Sequence, residues 1–131
     1  MMKTVDLMDL IGKPFHADGY GPDNYSCYGL AVEVFKRFGF DIPRLNISVC
    51  ACKETSQKEI QDQISNNWEK IEMLEVPAAL VILSAHPDYA NHIGVYIGND
   101  RFIHATMGRN VECARLSNWK KRIIGHYRYV S

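Results

Sequence analysis

The chain has 131 residues, 47% hydrophobic and 11% aromatic, enough for one compact core and too little for two ordinary domains. Fifteen Lys and Arg balance fifteen Asp and Glu, and the pI is about 6.9, so no global field exists to hold nucleic acid or an anionic membrane. A single domain over residues 1–131 is expected, with neither nucleic acid nor membrane as a partner.

At the N-terminus, M-M-K-T-V-D-L-M-D-L places Asp6 and Asp9 where a secretory leader needs an unbroken apolar core. No later run is apolar enough to span a bilayer. The reading is of a chain made in the cytoplasm as a soluble protein. Thr4 followed by Asp6 to Ile11 predicts a short helix, with Leu7, Leu10 and Ile11 inward and Gly12 ending it. Pro14 to Asn24 is a loop rich in Gly, Pro, Asp and Asn.

The next helix opens at Cys27. Leu30, Ala31, Val34, Phe35 and Phe38 recur at steps of three and four, Glu33, Lys36 and Arg37 take the other face, and Gly39 stops the run. After a turn at Pro43, Ser56 to Trp68 predicts a surface helix with Ile60, Ile64 and Trp68 as a narrow apolar stripe. From Pro77 the character becomes β-prone, over Ala79 to Ala85, His92 to Ile97, Arg101 to Ala105, Asn110 to Ala114 and Ile123 to Val130. Helices first and strands second predict an α+β fold with a mostly antiparallel sheet of five to six strands.

The four cysteines are Cys27, Cys50, Cys52 and Cys113, thiols rather than a disulfide framework in a reducing compartment. Cys50-Ala51-Cys52 is too short for a zinc knuckle and no second close pair exists, so neither metal nor cofactor is expected. Cys27 differs from the others in position. A thiol at a helix start sits beside free backbone N–H groups and the positive end of the helix dipole, which favour the thiolate that attacks carbonyls.

Two histidines have the context to serve it. His92 leads the strand I-G-V-Y-I, and His104 lies in the next, R-F-I-H-A, after Gly98-Asn99-Asp100. A three-residue loop pairs Ile97 with Arg101, sets His104 opposite Gly94, and puts both imidazoles on one face. A two-residue turn at Asn99-Asp100 would separate them. The sequence leaves both open. On the first register Cys27 attacks, His92 carries its proton to the leaving amine, and His104 orients His92. His16 could line the cleft, whereas His86 and His126 read as structural or exposed.

With these residues in view, the chain resembles the NlpC-type cell-wall cysteine endopeptidases, a papain-like family, over nearly its whole length. G-K-P-F at Gly12 to Phe15, S-C-Y-G-L at Ser26 to Leu30, F-G-F-D-I-P-R at Phe38 to Arg44, N-H-I-G-V-Y-I-G at Asn91 to Gly98 and R-F-I-H-A at Arg101 to Ala105 carry the likeness in order and spacing. The resemblance implies a papain-like fold, Cys27 as nucleophile, His92 as base and His104 as third member. It also implies hydrolysis of the γ-D-glutamyl to diamino-acid bond of peptidoglycan stem peptides.

Three positions depart from the family pattern. Ser26 replaces the usual Asp, Tyr28 the usual Ser, and Phe15 the Tyr whose hydroxyl helps the oxyanion hole. Phe15, His16, Tyr28 and Asn91 are the expected substrate or oxyanion neighbours. Two other readings stay open: an acyltransferase using the same triad, and a catalytically silent wall-binding or tail module. The C-Y-G-L variant and the basic C-terminal stretch look most like the NlpC-type domain of phage tail assembly proteins. That implies tail or secretion-machine proteins as partners and delivery to the wall by such a machine. Lys120, Lys121, Arg122 and Arg128 would then contact acidic peptides or form a solvated face.

Overall fold

The helix headed by Cys27 begins because Ser26 caps it. Ser26 is in extended backbone and its Oγ accepts the Gly29 N–H at 2.8 Å, which starts α1 (Cys27–Arg37). At the far end the chain closes a Schellman motif. The Phe40 N–H donates to the Phe35 carbonyl at 2.9 Å, the Gly39 N–H to that of Lys36 at 3.0 Å, and Gly39 takes φ +96°. The Phe35 and Phe40 rings meet edge to face across it, 6.0 Å apart. Leu30, Ala31, Val34 and Phe35 are buried, as the spacing predicts. The structure, a computed structural model, describes residues 5–16, 18–43, 67–82, 92–106 and 108–130.

The predicted N-terminal helix is only a 3-10 turn, Met8–Leu10, in which Leu10 is buried while Ile11 is 42% exposed. Competing contacts cut it short. Arg37 on α1 binds the Asp9 carboxylate through both terminal nitrogens and also donates to the Asp6 carbonyl, anchoring the turn to the helix. Gly12, at φ +89°, then donates to the Val111 carbonyl and leads the chain toward the sheet.

Among the described residues that sheet is antiparallel and has six strands: β1 (Trp68–Lys70), β2 (Ala78–Ile82), β3 (His92–Gly98), β4 (Arg101–His104), β5 (Glu112–Arg115) and β6 (Ile123–Tyr129). Their spatial order is β1-β6-β2-β3-β4-β5. A short helix, α2 (Leu116–Trp119), and a 3-10 turn, Lys120–Arg122, link β5 to β6. The α+β architecture expected from the chain is present. Of the predicted 56–68 helix, Asn67 is helical, Trp68 already opens β1 opposite Tyr129, and the part up to residue 66 lies outside the described residues. Trp68 meets Phe35 and Tyr129 edge to face, at 5.2 and 5.0 Å between ring centres.

Strand pleating divides the core in two. Ala79, Ile93, Val95 and Ile103 face the cluster that holds α1, while Leu80, Ile82 and Phe102 face a second cluster closed by Leu116, Trp119 and Ile123. The histidine motifs lie where β3 and β4 join these layers.

Candidate active site

The β3–β4 hairpin resolves the register that the sequence left open. Asn99 and Asp100 both take positive φ, 54° and 61°, so the turn has two residues. Gly98, not Ile97, pairs with Arg101. The next pair is Tyr96 with Phe102, so Ile97 is an extra residue in β3, and beyond this bulge Gly94 stands opposite His104. The turn is the shorter alternative and the face assignment belongs to the longer one. His92 and His104 therefore share a face.

Their rings are in contact. His92 Nε2 lies 2.8 Å from His104 Nδ1, with ring centres 5.0 Å apart. Gly94 makes the room: a Cβ there would stand 2.9 Å from Phe102, 3.3 Å from Ile82 and 3.4 Å from the His104 Cβ. His104 is 1% exposed, between Phe102 at 4.8 Å and Trp119 at 5.0 Å. Burial, followed by the neighbouring His92, Arg109 and Arg122, pushes its pKa down to about 3. It is a neutral imidazole at physiological pH, so its 3.1 Å contact from Nε2 to Glu112 Oε1 is a hydrogen bond rather than an ion pair. Glu112 pairs with His104 across β4 and β5. Sequence reading assigned it no role, since E-C-A-R looks like any amphipathic edge strand.

Cys27 is the first residue of α1, 2% exposed and in no disulfide. It belongs to the same buried cluster as Ile93, the neighbour of His92. The loop before it is fastened to the first helical turn through Gly19. The Gly19 carbonyl accepts both the Ser26 N–H, at 2.9 Å, and the Ser26 hydroxyl, at 3.0 Å. Gly29 has no space for a side chain because that carbonyl occupies it. Ser26 thus caps the helix as an Asp would and also donates, which an ionised Asp cannot do.

The remaining expected neighbours divide. Tyr28 is 3% exposed and its hydroxyl donates to the Pro43 carbonyl at 2.6 Å, so that proton is held inside the fold. Phe15 is half-buried against the α1 cluster and bridges to Tyr25. His16 is exposed. Its Nδ1 accepts the Asp18 N–H at 3.1 Å, which in the neutral ring leaves the proton on Nε2. Asn91, His86, Cys50 and Cys52 lie outside the described residues, as do the loops at 45–54 and 86–90. His126 is structural: its Nδ1 donates to the Ile71 carbonyl at 2.6 Å. Among the basic residues, Arg128 pairs with Glu69 and Glu75, and Arg122 lies 4.7 Å over the Trp119 ring.

Residues 12–128 match the model of the NlpC/P60 family. The chain belongs to this family.

Among relatives of known name, this NlpC/P60 chain is 24% identical over 127 residues to the probable peptidoglycan endopeptidase LytE of Bacillus subtilis, a match covering 95% of this chain and 33% of that protein. The chain thus spans about a third of that relative's length. An NLP/P60 family protein similar to lipoprotein, from Staphylococcus aureus, superimposes with a TM-score of 0.63 at 23% identity, covering 95% of this chain and 39% of its own. A Bacillus cereus NlpC/P60 family protein gives a TM-score of 0.62 at 20% identity, covering 98% and 42%. These likenesses identify the fold as the papain-like α+β fold of the NlpC/P60 family.

Proposed function

We propose that this NlpC/P60 domain is a cysteine endopeptidase that opens peptidoglycan stem peptides at the γ-D-glutamyl to diamino-acid bond. The observation that carries the reading is the 2.8 Å contact between His92 and His104 on one sheet face, a base held by a second imidazole. Family membership and the name of the Bacillus subtilis relative support the substrate class.

In this reading the Cys27 thiol meets His92 around the start of β3, since α1 packs on the face opposite the imidazoles and both residues are the first of their elements. The thiol proton passes from Sγ to His92 Nδ1, and the thiolate attacks the scissile carbonyl carbon. The tetrahedral oxyanion is held by the Cys27 backbone N–H at the helix start, with the His16 Nε2–H as second donor in place of the hydroxyl that Phe15 lacks. Collapse of the intermediate breaks the C–N bond while His92 protonates the leaving amine. Water, deprotonated by His92, then cleaves the thioester to free acid and thiol. Delivery to the wall by a phage tail or secretion machine belongs to the same proposal and rests on the sequence likeness alone.

The test is release of free amino groups from purified cell walls without added acceptor, together with iodoacetamide labelling near neutral pH. Cys27 labelling much faster than Cys113, and loss of release in Cys27→Ala with the fold intact, are expected. Equal labelling and no release would overturn the reading in favour of a silent wall-binding module. Dependence on an added amine would favour an acyltransferase.

A further inference from the structure

Three neighbouring strands each place one polar side chain in a row: His92 on β3, His104 on β4 and Glu112 on β5, in contact at 2.8 and 3.1 Å. The peptidase reading uses the first two. We propose that Glu112 is a positioning residue that sets the tautomer of both imidazoles and so leaves the lone pair of His92 on Nδ1; its catalytic consequence rests on the peptidase reading above.

Proton accounting gives the argument. A carboxylate only accepts hydrogen bonds, so the His104 nitrogen facing it, Nε2, carries hydrogen. His104 is buried and neutral, so its Nδ1 then holds a lone pair. The nitrogen facing that lone pair, His92 Nε2, must therefore be the donor. A neutral His92 is left with its lone pair on Nδ1, where a thiol proton can be received. When that proton arrives, the positive charge stays on the His92 imidazolium, whose Nε2–H donates to the His104 Nδ1 lone pair while the Glu112 carboxylate polarises His104, and no proton leaves His104. Without the carboxylate, His104 could instead carry hydrogen on Nδ1, which would turn His92 Nε2 into the acceptor and place the proton on the wrong nitrogen.

The surroundings preserve this arrangement. Trp119 stands edge-on to His104 at 84° and Phe102 covers it on the same side of the sheet, while Arg122 lies over Trp119. Arg109 approaches Glu112 Oε1 at 3.9 Å, supplying positive charge beside the carboxylate. Among the described residues, Glu112 is the charged acceptor in contact with His104.

Nitrogen NMR of the imidazole-labelled full chain at pH 7 tests the assignment directly. Protonated Nε2 and unprotonated Nδ1 are expected on His104. His92 Nε2 is expected to be protonated as well. Glu112→Ala should mix the tautomers of both rings and lower kcat for wall-peptide release by about tenfold to a hundredfold with little change in KM. Glu112→Gln, whose amide oxygen still accepts, should recover the tautomers and most of the rate. An unprotonated Nε2 on His104 in the natural protein, or unchanged tautomers in Glu112→Ala, would overturn the proposal. Altered tautomers in Glu112→Ala would support Glu112 even if the natural protein released no peptide, an outcome that would count against the peptidase reading alone.

Discussion

The Gly19 carbonyl oxygen fills the space that a Gly29 side chain would need, so the loop before Cys27 and the first turn of α1 are locked backbone to backbone. Small residues at both positions let the loop approach this closely. Gly19 faces the same restriction, since a Cβ there would stand 2.8 Å from the Tyr25 backbone. The alignment of Cys27 follows from this contact.

Gly29→Ala tests it. Alanine favours helix by propensity, yet here the methyl must push away a carbonyl that also holds Ser26, so overpacking should win and cost about 1–3 kcal/mol. Urea denaturation should show a lower midpoint with an unchanged slope. A gain in stability would mean that the loop does not press on the helix.

Ser26 should resist replacement even by the Asp more usual in the family. Ser26→Ala loses the cap to Gly29 and the bond to Gly19 together, and a loss of about 1–2 kcal/mol is expected. Ser26→Asp retains the cap but sets a carboxylate against the Gly19 carbonyl, so it should fall below the natural protein in the same urea experiment. Equal stability of Asp and Ser would remove the argument.

Buried neutral His104 predicts a particular pH dependence. Its pKa falls from the ordinary 6.5 to about 3 on folding, chiefly through burial, so between those values the unfolded chain binds the extra proton. The contribution is fully present above pH 6.5 and is lost as pH falls toward 3. Unfolding free energies at pH 7 and 5 should therefore drop more in the natural protein than in His104→Asn, which has no such proton to take up. Asp9, held below the usual carboxylate range by its hydrogen bonds from Arg37, loses its contribution only below the ordinary 3.8, outside the comparison between pH 7 and 5. Parallel pH profiles for the two proteins would count against a neutral His104.

Gly94 tests the space between the rings. The methyl of Gly94→Ala would meet Phe102 and Ile82 in a closed layer, displacing Phe102 and with it His104. A loss of about 1–3 kcal/mol is expected, with slower peptide release, both measured on the same preparation. Unchanged release would mean that His104 keeps its place by other contacts.

Sequence periodicity was enough to find α1, because its apolar stripe, the loop formers before it and the Gly39 stop lie close together along the chain. It also singled out Cys27, His92 and His104, since element starts and alternating strands are local patterns. The Ile97 bulge is different: the two-residue turn alone would have put the histidines on opposite faces, and strand pairing beyond the turn restored the common one. Trp68, one residue past the helical Asn67, likewise packs against rings far away in sequence.

The sequence by itself determined the α+β class, the family, and the residue types able to carry thiol chemistry, because each is written in short-range spacing and composition. Only the tertiary structure decided that His92 and His104 touch, that Ser26 bonds to Gly19, and that Glu112 completes the row. Those contacts depend on which strands pair and how far they slide, and that is fixed by burying two faces of one sheet at once rather than by any neighbour along the chain.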